Sequence, residues 1–183
     1  MRPFTLAAQW DANGKPMPAI WTFADHLRDL GACLQAVEWV GDATLETAWT
    51  TCRRADWLVW LAGRVGVDRK LIVRALVDMI RAEPSGAAVE HACNAASRWC
   101  DGELSLDDLD TVIAHVRLWR TTAIEDDALY TLLLCGVHLP EVAAAVASDV
   151  AVGIGATLGA DRVRARIPFE AVLTAWEATC ASS

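Results

Sequence analysis

The sequence has no apolar stretch that is both long enough and free enough of interruptions to span a membrane. Its longest run of low charge, residues 142–160, contains Asp149 and three glycines. Because this run is rich in alanine and glycine and poor in leucine, it is typical of a buried helix. The N-terminal residues include Arg2 but no continuous apolar core of the kind that a signal peptide needs. We therefore expect a cytoplasmic protein without a membrane segment.

Paired cysteines and an excess of basic charge are missing as well. The six cysteines are scattered without a CxxC pair, which indicates reduced thiols in the core and neither disulfides nor a zinc site. The net charge is −8, and residues 92–183 carry 13 acidic but only 6 basic groups. Direct nucleic-acid binding is disfavoured, because phosphate contacts require a basic surface.

No catalytic or cofactor signature stands out. The four histidines lack HxxxH and HExxH spacing, and no Ser-His-Asp or Cys-His arrangement has a local signature. Residues 153–159 read GxGxxxG, without the GxGxxG spacing or the βαβ pattern of a dinucleotide site. We interpret these small residues as a surface for close helix packing. The sequence thus predicts a protein that is not an enzyme and that has no metal and no cofactor.

What the sequence does contain is helical periodicity and an unusual supply of tryptophan. Of its 183 residues 54% are apolar, and nine are tryptophans against one tyrosine and three phenylalanines. Residues 1–20 hold three prolines and are predicted to form a short irregular N-terminal arm. From residue 21 onward apolar residues recur at spacings of three and four. We predict a single all-α domain over residues 21–183, a bundle of helical hairpins with about seven to nine helices.

Caps and breaks place the predicted helices along the chain. Thr44, Asp56, Asp68 and Ser105 are candidate N-caps, and Gly31 is expected to kink the first helix. The predicted helices run approximately over residues 22–39, 44–54, 56–61, 68–81, 87–99, 105–119, 125–135, 140–158 and 168–180.

One motif recurs at an offset of 60 residues. Ala32-Cys33-x-x-Ala36-x-x-Trp39 returns as residues 92–99, and an acidic turn and a capped second helix follow each copy. Since residues at i, i+4 and i+7 share a helix face, each copy predicts a helical hairpin with a stripe of small residues and one tryptophan. Two such hairpins packed together would bury both stripes.

The segment CRRADWLVWL, residues 52–61, combines two arginines with two tryptophans. Trp57 and Trp60 would share a helix face, with Arg53 and Arg54 just before them. One interpretation is a binding patch in which guanidinium groups frame aromatic faces, or a tryptophan-lined pocket for a small ligand. The alternative, which we favour, is that the tryptophans pack in the helical core and their indole N–H groups form local hydrogen bonds. In this interpretation Trp49 and Arg53 stack on each other.

The segment from residue 101 to residue 127 is strongly acidic. It holds two arginines and eight carboxylates, which are Asp101, Glu103, Asp107, Asp108, Asp110, Glu125, Asp126 and Asp127. We predict that these eight residues form a partner-binding surface that faces a basic cleft of another protein. Five of them also fall in predicted first helical turns, where the helix dipole favours acids. Capping would therefore account for part of the acidic excess.

Two segments resemble known proteins. The first, residues 31–64, holds Ala36, Trp39 and Trp49 with Asp56-Trp57-Leu58, and the second, residues 159–173, holds DRVR before IPF. Together they resemble a group of all-helical bacterial and phage-encoded proteins, some of which are labelled immunity proteins for polymorphic toxins. The resemblance implies an all-helical fold and supplies no catalytic residues.

These features predict a non-catalytic interaction protein, an immunity or inhibitor protein that sequesters a toxin or nuclease through its acidic surface. Two alternatives stay open: a phage-encoded inhibitor of a host CRISPR-type defence nuclease, and a helical protein that binds a small ligand between tryptophans. The expected partner is a protein with a basic surface, without direct binding of nucleic acid or membrane. The oligomeric state is left open.

Overall fold

The computed structural model describes residues 22–82, 86–118 and 156–181. Over these ranges the chain forms nine α-helices and no β-strand, which confirms the predicted all-α class. The helices are α1 (Phe23–Asp29), α2 (Leu34–Val40), α3 (Leu45–Thr51), α4 (Ala55–Val65), α5 (Arg69–Ile80), α6 (Ala87–Asp101), α7 (Leu106–Leu118), α8 (Ala156–Arg166) and α9 (Phe169–Ala181). The predicted arm, the predicted helix 125–135 and most of the predicted helix 140–158 lie outside the described residues.

The chain divides into two compact units, Met1–Leu45 and Glu46–Ser183. In the first unit α1 packs against α2. Thr22 opens α1 with a capping box, because its hydroxyl accepts the Asp25 N–H while the Asp25 carboxylate accepts the Thr22 N–H. The buried residues of these two short helices are Ala24, Leu27, Ala36, Val37 and Val40.

The prediction of one continuous first helix over residues 22–39 is wrong, because the structure has two helices there, α1 and α2. Gly31 does not kink one helix but ends α1, since it adopts φ 86°, a left-handed conformation that glycine enters without steric cost. The Ala32 N–H donates to the Leu27 carbonyl at 2.9 Å, and the Gly31 N–H donates to the Arg28 carbonyl at 3.0 Å. This glycine-terminated pattern ends α1, and α2 starts three residues later at Leu34.

The same break makes the two copies of the repeated motif unequal. In the first copy Cys33 is the exposed N-cap of α2, and Trp39 is 44% exposed. In the second copy Ala92, Cys93 and Ala96 are all buried within the uninterrupted helix α6. The predicted pair of equivalent hairpins with two buried stripes is therefore wrong.

Two of the predicted N-caps are confirmed by hydrogen bonds. The Asp68 carboxylate accepts the Lys70 N–H at 2.9 Å at the start of α5, and the Ser105 hydroxyl accepts the Asp108 N–H at 3.1 Å at the start of α7. The prediction for Asp56 is wrong, because α4 starts one residue earlier and Arg54 is its N-cap residue. Asp56 instead lies inside the first turn and is only 3% exposed.

Helix α5 forms the centre of the second unit. It packs against α4, α6 and α8, while α7 packs against α6 and α9 against α4. The predicted inward residues of α5, Val73, Leu76, Val77 and Ile80, are all buried. Ile72, Ala75 and Met79 are buried as well, so α5 is covered around most of its circumference, as expected for the central helix of a bundle.

A close approach of three helices explains part of the glycine-rich segment. Gly159 lies in α8, and a Cβ atom at this position would stand 3.0 Å from the Cβ of Ala55 in α4 and 3.6 Å from the Cε of Met79 in α5. For Gly159 this confirms the interpretation of small residues as a helix-packing surface. Gly153 and Gly155 lie outside the described residues.

Candidate functional site

The acidic segment is the candidate site, and five of its eight predicted residues are described. Asp101 ends α6, Glu103 lies in the following turn, and Asp107, Asp108 and Asp110 lie on α7. All are exposed except Asp110, which is half-buried. Glu125, Asp126 and Asp127 lie outside the described residues. The structure therefore places five carboxylates over the end of α6, the following turn and the first turns of α7, within ten residues of sequence.

Buried apolar residues fix the first turns of α7 against the rest of the second unit. Leu109 and Ile113 are one turn apart on α7 and are 0% and 3% exposed, and α7 packs against α6. With Leu109 and Ile113 buried on one face of α7, Asp107 and Asp108 lie on the exposed side of the helix.

Asp101 and Glu103 each pair with an arginine. Asp101 accepts a hydrogen bond from Arg74 at 2.8 Å, and Arg74 also donates to the carbonyl of Cys100 at 3.1 Å. Glu103 lies 3.7 Å from Arg98. Both pairs are well exposed, so each contributes little to stability. They do, however, lower the negative charge at this end of the acidic segment.

Asp107 and Asp108 differ from these two residues. The Asp108 carboxylate accepts the Ser105 hydroxyl at 2.6 Å, and both acids occupy the first turn of α7, where the helix dipole stabilises them. Capping thus explains why acids are placed here, as anticipated from the sequence. Within the described residues no arginine or lysine forms an ion pair with either carboxylate, and both side chains are exposed.

The arginine and tryptophan segment forms a cluster around Asp56. Arg54 donates two hydrogen bonds to the Asp56 carboxylate, at 2.8 and 2.6 Å, and its Cζ atom lies 4.8 Å from the centre of the Trp57 ring. A planar guanidinium suits both contacts, since it forms a bidentate pair with a carboxylate and also stacks on an indole. One face of Trp57 is therefore covered by Arg54.

The rest of the predicted aromatic patch is less closely joined. Trp57 and Trp60 are half-buried, and Arg53 is exposed. Trp49 is 2% exposed, and in the part of the chain that the structure describes no cation–π contact joins it to Arg53. The predicted stacking of these two residues is replaced by the Arg54–Trp57 contact. The pairing of Asp56 with Arg54 was not predicted from the sequence, although their separation of two residues was a usable signal.

The thiols divide into a buried and an exposed group. Cys52, Cys93 and Cys100 are buried, which confirms the predicted core thiols, but Cys33 and Cys180 are exposed, so the prediction is wrong for these two. Burial raises the pKa of the Cys93 thiol to about 11 and also raises the pKa values of Cys52 and Cys100. Cys135 lies outside the described residues. The buried thiols are therefore protonated near neutral pH and are poor nucleophiles.

The described residues contain neither a candidate metal site nor a candidate membrane span. No three histidine, cysteine, aspartate or glutamate side chains among them come together in an arrangement suited to a metal ion. Likewise, none of the helices within residues 22–82, 86–118 and 156–181 combines the length and apolar character that crossing a membrane requires.

No family model, curated protein or solved structure matches the chain. The all-helical fold is thus known from the structure itself, and the resemblance to immunity proteins stays a prediction.

Proposed function

We propose that this protein is a cytoplasmic, non-catalytic interaction protein, an immunity or inhibitor protein that binds a toxin or nuclease through a basic surface of that partner. One observation carries the proposal: Asp107 and Asp108 are adjacent, exposed and without an ion-pair partner among the described residues. Because no basic side chain among the described residues neutralises these two acids, they can pair with a cationic partner.

The surroundings of these two acids support the proposal. Asp110 follows them on α7, and the arginine-paired Asp101 and Glu103 precede them, so a partner that binds Asp107 and Asp108 would find further carboxylates nearby in the chain. The whole chain carries a net charge of −8, which favours approach of a basic protein from a distance. Since exposed charges are screened by salt, such binding would weaken as ionic strength rises.

The experiment compares three forms of the protein as affinity baits. The test variant is Asp107→Asn/Asp108→Asn, which removes both charges but leaves the Ser105 cap to the Asp108 N–H in place. The control is Glu46→Gln/Glu170→Gln, which removes two exposed acids from the first turns of α3 and α9. Both variants lose the same charge and comparable helix-dipole stabilisation, about 0.3–1 kcal/mol per acid. Equal melting temperatures of the two variants would show that folding is matched.

We expect the wild type and the control to retain one basic protein and the test variant to lose it. About 1 M salt should release this protein, because the Debye length is then about 3 Å. The retained protein is then purified and its affinity for all three forms is measured by titration calorimetry. Equal affinity for the wild type and the test variant would reject the acidic surface, as would an equal loss in the control. The activity of the retained protein, toxic or directed against phage, would separate an immunity protein from a phage-encoded inhibitor.

A further inference from the structure

We draw no further inference here: the strongest candidate, the apolar stripe that Phe169, Leu173, Trp176 and Cys180 form along one side of α9, carries nothing because no described part of the structure shows what covers it.

Discussion

The guanidinium of Arg164 donates a hydrogen bond to the backbone carbonyl of Cys52, 2.7 Å away and 112 residues earlier in the chain. It also donates to the carbonyl of Trp49 at 3.1 Å and to the Asp161 carboxylate at 2.6 Å. The last carbonyls of a helix have no partner within the helix, and a cation satisfies them well. Arg164 of α8 therefore caps the C-terminal end of α3.

Replacing Arg164 by methionine should destabilise the protein. The Arg164→Met variant keeps an apolar stem but leaves two part-buried carbonyls without their charged donor, and we expect a loss of about 2 kcal/mol in the free energy of unfolding. Urea denaturation followed by circular dichroism measures this change. Arg28→Met is the matched control, because Arg28 also pairs with an aspartate three residues earlier. Its exposed pair should contribute less than about 0.5 kcal/mol. Equal losses in both variants would disprove the role of the carbonyls.

A methyl group at Gly159 should also destabilise the protein. The new Cβ of Gly159→Ala would stand 3.0 Å from the Cβ of Ala55, and this methyl group cannot move without its backbone. We expect the overpacking to cost about 1–3 kcal/mol, more than the gain of about 1 kcal/mol in helix propensity. The measurement is the melting temperature, combined with a double-mutant cycle using Ala55→Gly. A favourable coupling between the two changes is expected, and additive effects would contradict the close contact.

The buried thiol of Cys93 predicts a pH dependence of stability at alkaline pH. Burial raises its pKa from the ordinary 9.0 to about 11 in the folded protein, so between these values the unfolded chain releases a proton that the folded chain keeps. The contribution of Cys93 to the free energy of unfolding is therefore fully present below pH 9 and is lost as the pH rises towards 11. Between about pH 8 and about pH 10, the wild type should lose about 1 kcal/mol more than Cys93→Ala.

The comparison with Cys93→Ala removes contributions from the other titrating groups, because both proteins share them. Chemical denaturation at the two pH values gives the free energies. A parallel loss in the wild type and the variant would show that Cys93 ionises equally in the folded and unfolded states.

The capping box of α1 should be visible in the titration of Asp25. The Thr22 hydroxyl is the main cause of the lowered pKa of Asp25, followed by the Thr22 N–H, with Arg28 contributing less. Thr22→Val should therefore raise this pKa, whereas Thr22→Ser should leave it low. Carbon-detected NMR of the carboxyl group measures both. Since a lowered pKa stabilises the fold above the ordinary value of 3.8, this contribution is lost as the pH falls through the folded pKa. An unchanged pKa in Thr22→Val would show that the hydroxyl has no role.

Features of the fold could be predicted from the sequence where the interacting residues are close together in the chain. The caps of Asp68 and Ser105 were found because the side chain and the amide it binds are two or three residues apart. The break at Gly31 was only half recognised, since a glycine permits either a kink or a stop, and the following residues do not decide between them. The start of α4 was misplaced because Asp56 is a good cap by type, but its carboxylate is held by Arg54 instead.

The candidate site shows the same division. The sequence by itself determined that acids gather at the end of α6 and the start of α7, and that the start of α7 suits them. Only the tertiary structure decided that Asp101 pairs with an arginine, because its partner Arg74 is 27 residues away in the chain. Likewise Arg164 reaches α3, and Gly159 meets Ala55, only when α8 packs between distant helices. The helical class and the caps arise from contacts within one or two helical turns, which local sequence patterns encode. Burial and charge pairing arise where helices that are far apart in the chain pack together, and local patterns do not encode those contacts.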